Sequence, residues 1–187
     1  VEEQREILDW VRRIIISGAT PYRRFQREAI RQRYALRFPN VVPASARELD
    51  ERDEPDPELA PGRRYAGPRL MDEMRRLVRF KTATLTETGY QRRGVWGPET
   101  AAQKVEHLGL MLGALAASPA SPVKGFGAPL EVLSLGHLVF PSVWDWYVRW
   151  RERRRGFYTA WEVDMLSTAI ALTGRETGWL AQTTDLA

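Results

Sequence analysis

Apolar residues recur every three to four positions along most of this chain, which predicts a protein built from helices. Two such stretches, residues 2–16 and 21–37, lie near the N-terminus, and a third covers residues 68–82. No stretch alternates apolar and polar residues as a half-buried strand would. The pattern therefore predicts an all-α fold.

The clearest helical pattern lies between residues 98 and 182. It predicts three helices, over residues 98–117, 133–155 and 159–182. Pro141 is expected to begin or kink the second of them, and Gly174 to break the third. A loop rich in proline and glycine, residues 118–129, separates the first two. With the preceding helix, these elements predict a compact all-helical domain.

The helical period also assigns side chains to faces. In the 68–82 helix, Leu70 and Leu77 are predicted to point inward. The basic residues of that helix are predicted to point outward: Arg69, Arg75, Arg76, Arg79 and Lys81. In the last helix Ile170 belongs to the inward stripe, and in the helix before it Trp146 and Trp150 have core spacing.

Residues 39–69 break the helical pattern. They contain six prolines with acidic residues between them, a composition typical of a linker or extended loop. This segment is the best internal boundary. It divides the chain into a helical N-terminal extension, residues 1–69, and a helical domain, residues 70–187.

Composition excludes several classes of site. The 187 residues include no cysteine, so disulfides, thiolate metal sites and cysteine nucleophiles are excluded. The two histidines, His107 and His137, lie thirty residues apart, and we expect neither a metal nor another cofactor. No signal-like segment or apolar run of membrane-spanning length is present. A cytoplasmic location is expected, on the nucleoid if the source is bacterial, with no membrane partner and no small-molecule substrate.

Charge is distributed unevenly along the chain. Residues 47–58 carry seven acids and two arginines, a net charge of −5. Since the whole chain carries +4, the remaining residues carry +9. A surface this basic attracts nucleic acid or other polyanions.

The candidate contacts to such a polyanion are the basic residues that end the 133–155 helix: Arg149, Arg151, Arg153, Arg154 and Arg155. A second basic stripe recurs every four residues near the N-terminus, at Arg23, Arg27 and Arg31. That stripe would contact nucleic acid or pair with the acidic residues of segment 47–58, and the sequence leaves both open.

No catalytic motif is present. The chain lacks a phosphate-binding glycine loop, a nucleophile elbow and a zinc-protease motif. An all-helical enzyme would need Glu106, His107 and Glu162 to converge on one pocket. Solvated helix residues and caps are the simpler interpretation of these carboxylates.

The order of elements from 98 to 182 resembles the core-binding domain of tyrosine recombinases, the phage-integrase type, also described as a SAM-like N-terminal domain. Four segments carry the resemblance: Thr100 with Val105, Leu108 and Leu112; Leu133-Ser134-Leu135 leading to Val143, Tyr147 and Trp150; Arg153-Arg154-Arg155-Gly156; and Leu166-Ser167-Thr168-Ala169. Trp161-Glu162 departs from the Ser/Thr-aliphatic pair usual in the family. The resemblance covers under half of the chain.

The resemblance implies a bundle of four to five helices that forms one half of a C-shaped clamp and lays two helices across the major groove of duplex DNA. It also implies a set of DNA contacts: Arg92, Arg93, Lys104, Arg149, Arg151, Arg153, Arg154 and Arg155. Neither histidine is followed by arginine three residues later, and no terminal tyrosine nucleophile is recognisable after Trp179. The family's catalytic Arg/His/Arg/Tyr set is therefore absent, and the chain as given is expected not to cut DNA. A longer parent chain could be a recombinase that breaks and rejoins DNA.

The sequence thus predicts a non-catalytic, double-stranded DNA-binding domain related to site-specific recombination. Its expected partners are duplex DNA, its own missing catalytic domain and other protomers. The alternative is a helical protein-interaction module whose basic stripes pair with acidic segments or acidic partners.

Overall fold

The computed structural model of the chain describes residues 34–42, 64–87, 90–155 and 160–182, and these residues are mostly helical. Five α-helices are present in these ranges: α1 (Pro68–Thr82), α2 (Pro98–Ala116), α3 (Pro141–Arg155), α4 (Ala160–Thr173) and α5 (Trp179–Gln182). Two 3-10 helices, η1 (Leu130–Val132) and η2 (Leu135–Val139), connect α2 to α3. The predicted all-α class is therefore confirmed at the level of a mostly helical protein.

Helix α2 is the centre of the packing. It contacts α1, α3 and α4, and almost every residue from Val105 to Ala117 is buried on one side or another. Because three helices surround α2, it needs an apolar surface that is wider than the single stripe of an exposed helix. The core around it also contains Leu133 and Leu135 from the connection, Tyr147 and Trp150 from α3, and Leu172 from α4.

A two-stranded parallel sheet lies against α2, and the sequence pattern did not predict it. Strand β1 (Leu36–Arg37) pairs with β2 (Arg64–Tyr65). The predicted helix over 21–37 is therefore wrong for residues 34–37; the residues before Tyr34 lie outside the described part. These strands are two residues long, so the alternation that identifies a strand has no room to develop.

Close contact between main chains explains why the β1 segment is extended. At Gly113 of α2, an added Cβ would lie only 2.1 Å from the carbonyl oxygen of Tyr34. Glycine lets the extended chain lie directly on the helix surface. Arg64 of β2 fixes the other strand to the same helix, because its guanidinium donates to the carbonyl of Ala116 at 3.2 Å. The sheet thus depends on α2 for its position.

The boundaries in the C-terminal part follow the sequence pattern with two refinements. Pro141 begins α3, and the residues before it form η2 and not a longer α-helix. Helix α4 ends at Thr173, so the predicted break near Gly174 is confirmed. The predicted face of Ile170 is wrong, since this side chain is 71% exposed on the outer side of α4.

A candidate nucleic-acid interface on helix α1

Helix α1 separates its apolar and basic residues onto opposite faces. Leu70, Met74 and Leu77 are buried against α2 and the η2 region. The opposite face exposes four arginines and one acid: Arg69, Asp72, Arg75, Arg76 and Arg79. We call the four arginines the arginine face. They span eleven residues of helix, ten steps of 1.5 Å or about 15 Å, and with Asp72 they give this face a net charge of +3.

A buried carboxylate holds this helix in place. Glu73 is 2% exposed, and its carboxylate accepts the backbone N–H of Leu135 at 2.7 Å. The same carboxylate accepts from Arg69 Nε at 3.2 Å, while the Arg69 side chain stays 64% exposed. Glu73 thus caps the N-terminal end of η2 and also neutralises part of the charge at the start of the arginine face. It fixes the orientation in which α1 presents its arginines to solvent.

The C-terminal end of α1 is closed by the segment that follows it. Arg92 donates to the carbonyls of Phe80 at 2.6 Å and Ala83 at 2.7 Å, which satisfies acceptors that a helix end leaves open. Lys81 donates to the carbonyl of Arg93 at 3.0 Å and lies over the ring of Trp96. Arg92 therefore closes a helix end, and Arg93 is exposed in the segment that follows α1.

Lys81 was predicted to point outward, and that prediction is wrong. Only 3% of this residue is exposed. Burial lowers the pKa of its ammonium group, and the neighbouring charge of Arg92 lowers it further. The ammonium group holds the 90–97 segment against α1 and does not add to the exposed positive surface.

The basic run of α3 divides between core and surface. Arg151 is buried, with Nε 2.6 Å from Glu162 of α4 and a nitrogen 3.3 Å from the Tyr147 hydroxyl. Arg154 lies over the rings of Tyr34 and Trp150, at 5.2 and 5.5 Å. The side chain of Arg155 lies outside the described part. Only Arg149 and Arg153 among the described members of the run are well exposed.

The charges of the exposed α3 side chains that the structure describes cancel. Arg149 forms an ion pair with Asp145 at 3.0 Å, and Glu152 is exposed next to Arg153. These four side chains sum to zero, whereas the exposed face of α1 carries +3, or +2 when Glu73, the partner of Arg69, is included. A phosphate backbone is attracted by net charge. The structure therefore favours α1 over α3 as the electropositive surface.

Lys104, the remaining candidate of the domain, lies in an ion pair between helices. Its ammonium group contacts both carboxylate oxygens of Asp164, at 2.7 and 2.8 Å, and its side chain is 12% exposed. The same carboxylate lies 3.4 Å from Nδ1 of buried His107. This cluster connects α2 to α4. The second stripe, Arg23, Arg27 and Arg31, lies outside the described residues, as does the acidic segment 47–58.

The buried ring of His107 makes stability depend on pH. Burial lowers its pKa to about 4, against a raising effect of Asp164 and lowering effects of Lys104 and Arg151. The unfolded chain takes up a proton below its ordinary pKa of about 6.5, whereas the folded chain resists protonation until about 4. The contribution of His107 is therefore complete above pH 6.5 and is lost as the pH falls toward 4.

We expect the free energy of unfolding to fall by about 3 kcal/mol between pH 7 and pH 4 because of this one group. Urea denaturation at a series of pH values measures the slope. The His107→Leu variant should show a smaller fall over the same range. An unchanged slope in that variant would assign the pH dependence to other groups.

Glu106, His107 and Glu162, the residues that an all-helical enzyme would need in one pocket, differ in their exposure to solvent. His107 and Glu162 are buried, each beside an oppositely charged or polar partner, while Glu106 is exposed. Among the described residues, no group of three or more His, Asp or Glu side chains could hold a metal ion. In the same part of the chain, no helix combines the length and apolarity needed to cross a membrane.

Comparisons with protein-family models, with curated proteins and with solved structures find no significant match to this chain. The function must therefore be argued from the arrangement of its own side chains.

Sequence reasoning placed the α1 arginines outward but did not select them as a site. The signal was present in the pattern. Four arginines lie within eleven residues on the polar face of one amphipathic helix, and Asp72 is the single acid on that face. The arginines at the end of α3 were predicted as the site because they are dense in the sequence. Density along the chain does not show which of these side chains the helix buries.

Proposed function

We propose that this chain is a non-catalytic module that binds double-stranded DNA, and that its principal contact surface is the arginine face of α1, with exposed Arg93 of the following segment as a further contact. The observation that supports this proposal is the exposed charge of +3 on one face of a helix whose opposite face is fixed in the core. Guanidinium groups bind phosphate oxygens with two parallel hydrogen bonds and stay charged at all relevant pH values. A rigid row of them about 15 Å long suits a phosphate backbone.

Such a surface gives affinity more than sequence preference. Contacts to phosphate position a protein on duplex DNA, and base-edge contacts supply the specificity. If four arginines each neutralise one phosphate, the logarithm of the binding constant should fall with the logarithm of salt concentration with a slope of about −3.6. The resemblance to the core-binding domain of tyrosine recombinases supports duplex DNA as the ligand and site-specific recombination as the process.

Charge reversal on α1 tests the proposal. The Arg75→Glu/Arg79→Glu variant should bind a 30-base-pair duplex about 100-fold more weakly at ~100 mM salt, because two phosphate contacts are lost and two repulsive charges are added. Fluorescence anisotropy measures the affinity. Circular dichroism and thermal unfolding establish that the fold is retained, as expected for two exposed side chains.

The matched control is Arg149→Glu/Arg153→Glu on α3, which makes the same charge change at two exposed positions. Its affinity for duplex should stay within about threefold of that of the parent. Equal losses in both variants would mean that only net charge matters. An unchanged affinity in the α1 variant would reject the arginine face as the contact surface.

The alternative is a protein-interaction module whose arginine face pairs with acidic groups. The chain carries such groups itself in segment 47–58, with a net charge of −5. Replacing its seven acids with the corresponding amides separates the two functions. A rise in duplex affinity would show that the acids compete with DNA, while destabilisation without such a rise would favour the alternative.

A further inference from the structure

Four aromatic rings form a continuous ladder from the core to the surface. The ring of Tyr147 stacks on Trp150 with centroids 5.7 Å apart, and Trp150 stacks on Trp146 at 5.9 Å. The ring of Phe126 meets Trp146 edge-to-face at 5.2 Å. Exposure increases along the ladder: Tyr147 and Trp150 are buried, Trp146 is half-buried and Phe126 is 56% exposed. The ladder ends in a large apolar ring facing solvent.

The turn that carries Phe126 is fixed on both sides. The backbone N–H of Phe126 donates to the carbonyl of Ala114 at 3.1 Å, near the C-terminal end of α2. Two carbonyls of the same turn, those of Val123 and Lys124, accept from the indole N–H of Trp150 at 3.1 and 3.0 Å. A Cβ at Gly125 would lie 2.3 Å from the carbonyl oxygen of Ala117, so only glycine allows this close approach. The exposed ring is therefore held in one place before any ligand arrives.

Exposed positive side chains lie on the two elements that carry Phe126 and Trp146. Lys124 is exposed two residues before Phe126, and Arg149 and Arg153 follow Trp146 by three and seven residues on the same side of α3. Arg149 is paired with Asp145. Within the described ranges, Lys124 and Arg153 have no ion-pair partner. An exposed aromatic ring bordered by cations is the combination that binds unpaired bases, since the ring stacks on the base and the cations attract its phosphates.

We propose that Phe126 and Trp146 form a stacking site for an unpaired nucleobase, so that the chain also binds single-stranded nucleic acid. The proposal rests on the proposed function and extends it to a second surface with a different chemistry. An apolar protein partner would require a contiguous apolar patch, whereas the exposed positions of α3 on the same side as Trp146, Arg149 and Arg153, are charged. Because the ring is already ordered, stacking costs little conformational entropy.

The test compares Phe126→Ala with Phe126→Tyr in the full chain, using fluorescein-labelled dT12 and a duplex of 30 base pairs. The alanine variant should bind dT12 about tenfold more weakly, while its duplex affinity stays within about twofold. The tyrosine variant retains the ring and should bind both probes like the parent. Leu85→Ala, at a position 83% exposed, is the control for loss of an exposed apolar side chain elsewhere.

The outcomes separate this proposal from the proposed function. Binding of dT12 that depends on Phe126, without any duplex binding, would support the stacking site and reject the duplex function. Duplex binding with dT12 affinity unaffected by Phe126→Ala would reject the stacking site alone. If the parent does not bind dT12, the proposal is overturned. If Phe126→Ala changes only the sedimentation of the protein by disrupting self-association, the ring serves a protein contact and the proposal is likewise overturned.

Discussion

Replacing Glu162 with leucine is expected to lower the free energy of unfolding by about 3–5 kcal/mol. Arg151 and Glu162 have side chains only 4% and 6% exposed, and Nε of the arginine lies 2.6 Å from a carboxylate oxygen. The substitution removes the negative charge and leaves the guanidinium in a site from which water is largely excluded. Arginine does not lose its proton in proteins, so the cost takes the form of destabilisation. Urea denaturation monitored by tryptophan fluorescence measures it.

Two controls distinguish burial from charge pairing in general. Asp145→Leu breaks the exposed pair with Arg149, whose side chains are 60% and 68% exposed, and should cost less than about 1 kcal/mol. The double variant Arg151→Met/Glu162→Leu removes both buried charges and should recover most of the lost stability. If Glu162→Leu is as mild as Asp145→Leu, the buried pair is not a determinant of the fold.

The described arginines of α3 therefore fall into two groups: Arg151 and Arg154 pack against the core, and Arg149 and Arg153 are exposed. Arg151 connects α3 to α4, and Arg154 covers the rings of Tyr34 and Trp150. Charge reversal at these two positions would impair the fold together with any binding, so a loss of DNA affinity in such a variant carries no information about a contact. Arg149 and Arg153, which are exposed, are the positions where binding can be tested.

Much of the helical architecture could be predicted from the sequence, because local signals specify it. Pro68, Pro98 and Pro141 each stand at the first position of a helix, where proline is preferred. The apolar period then continues to the end of each helix, and Gly174 follows the end of α4. The apolar period also predicts a helix for the residues before Pro141, but they form the 3-10 helix η2. The N-terminus of η2 is held by Ser134 and by the distant Glu73. A partner 62 residues away leaves no local signal.

The candidate site was less predictable, because burial of a charged residue depends on its partner. Lys81 has the residue type of a surface position, yet it lies four residues after Leu77 on the buried side of α1. There a carbonyl of the 90–97 segment and the ring of Trp96 surround its ammonium group. Lys104 and Arg151 likewise find their partners in α4. Sequence shows where the cations are, and only tertiary contacts show which of them remain available to a ligand. The α1 arginines remain exposed because their helix has a neighbour on its apolar side and none of the described elements covers its polar side.

Replacing Gly113 with alanine is expected to lower the free energy of unfolding by about 3 kcal/mol, an unusually large cost for one methyl group. The new Cβ would lie 2.1 Å from the Tyr34 carbonyl oxygen, 2.8 Å from Ala35 Cα and 2.9 Å from the Leu36 nitrogen. All three are main-chain atoms, so no side chain can rotate to relieve the overlap. The 34–37 segment must move away from α2, and Leu36 would leave the core. Thermal and urea denaturation measure the loss.

Gly174→Ala is the matched control, since it adds the same methyl group where the nearest non-adjacent atom, the carbonyl oxygen of Ile170, is 3.5 Å away. We expect its stability to change by less than about 1 kcal/mol. The near-ultraviolet circular dichroism of Gly113→Ala should also change, because Tyr34 meets Trp150 edge-to-face at 5.4 Å and would be displaced with the segment. Equal stability of the two variants, with unchanged aromatic signals, would mean that the 34–37 segment does not lie on α2. In that case the two-stranded sheet, whose β1 strand lies directly on that helix, would have to be placed elsewhere.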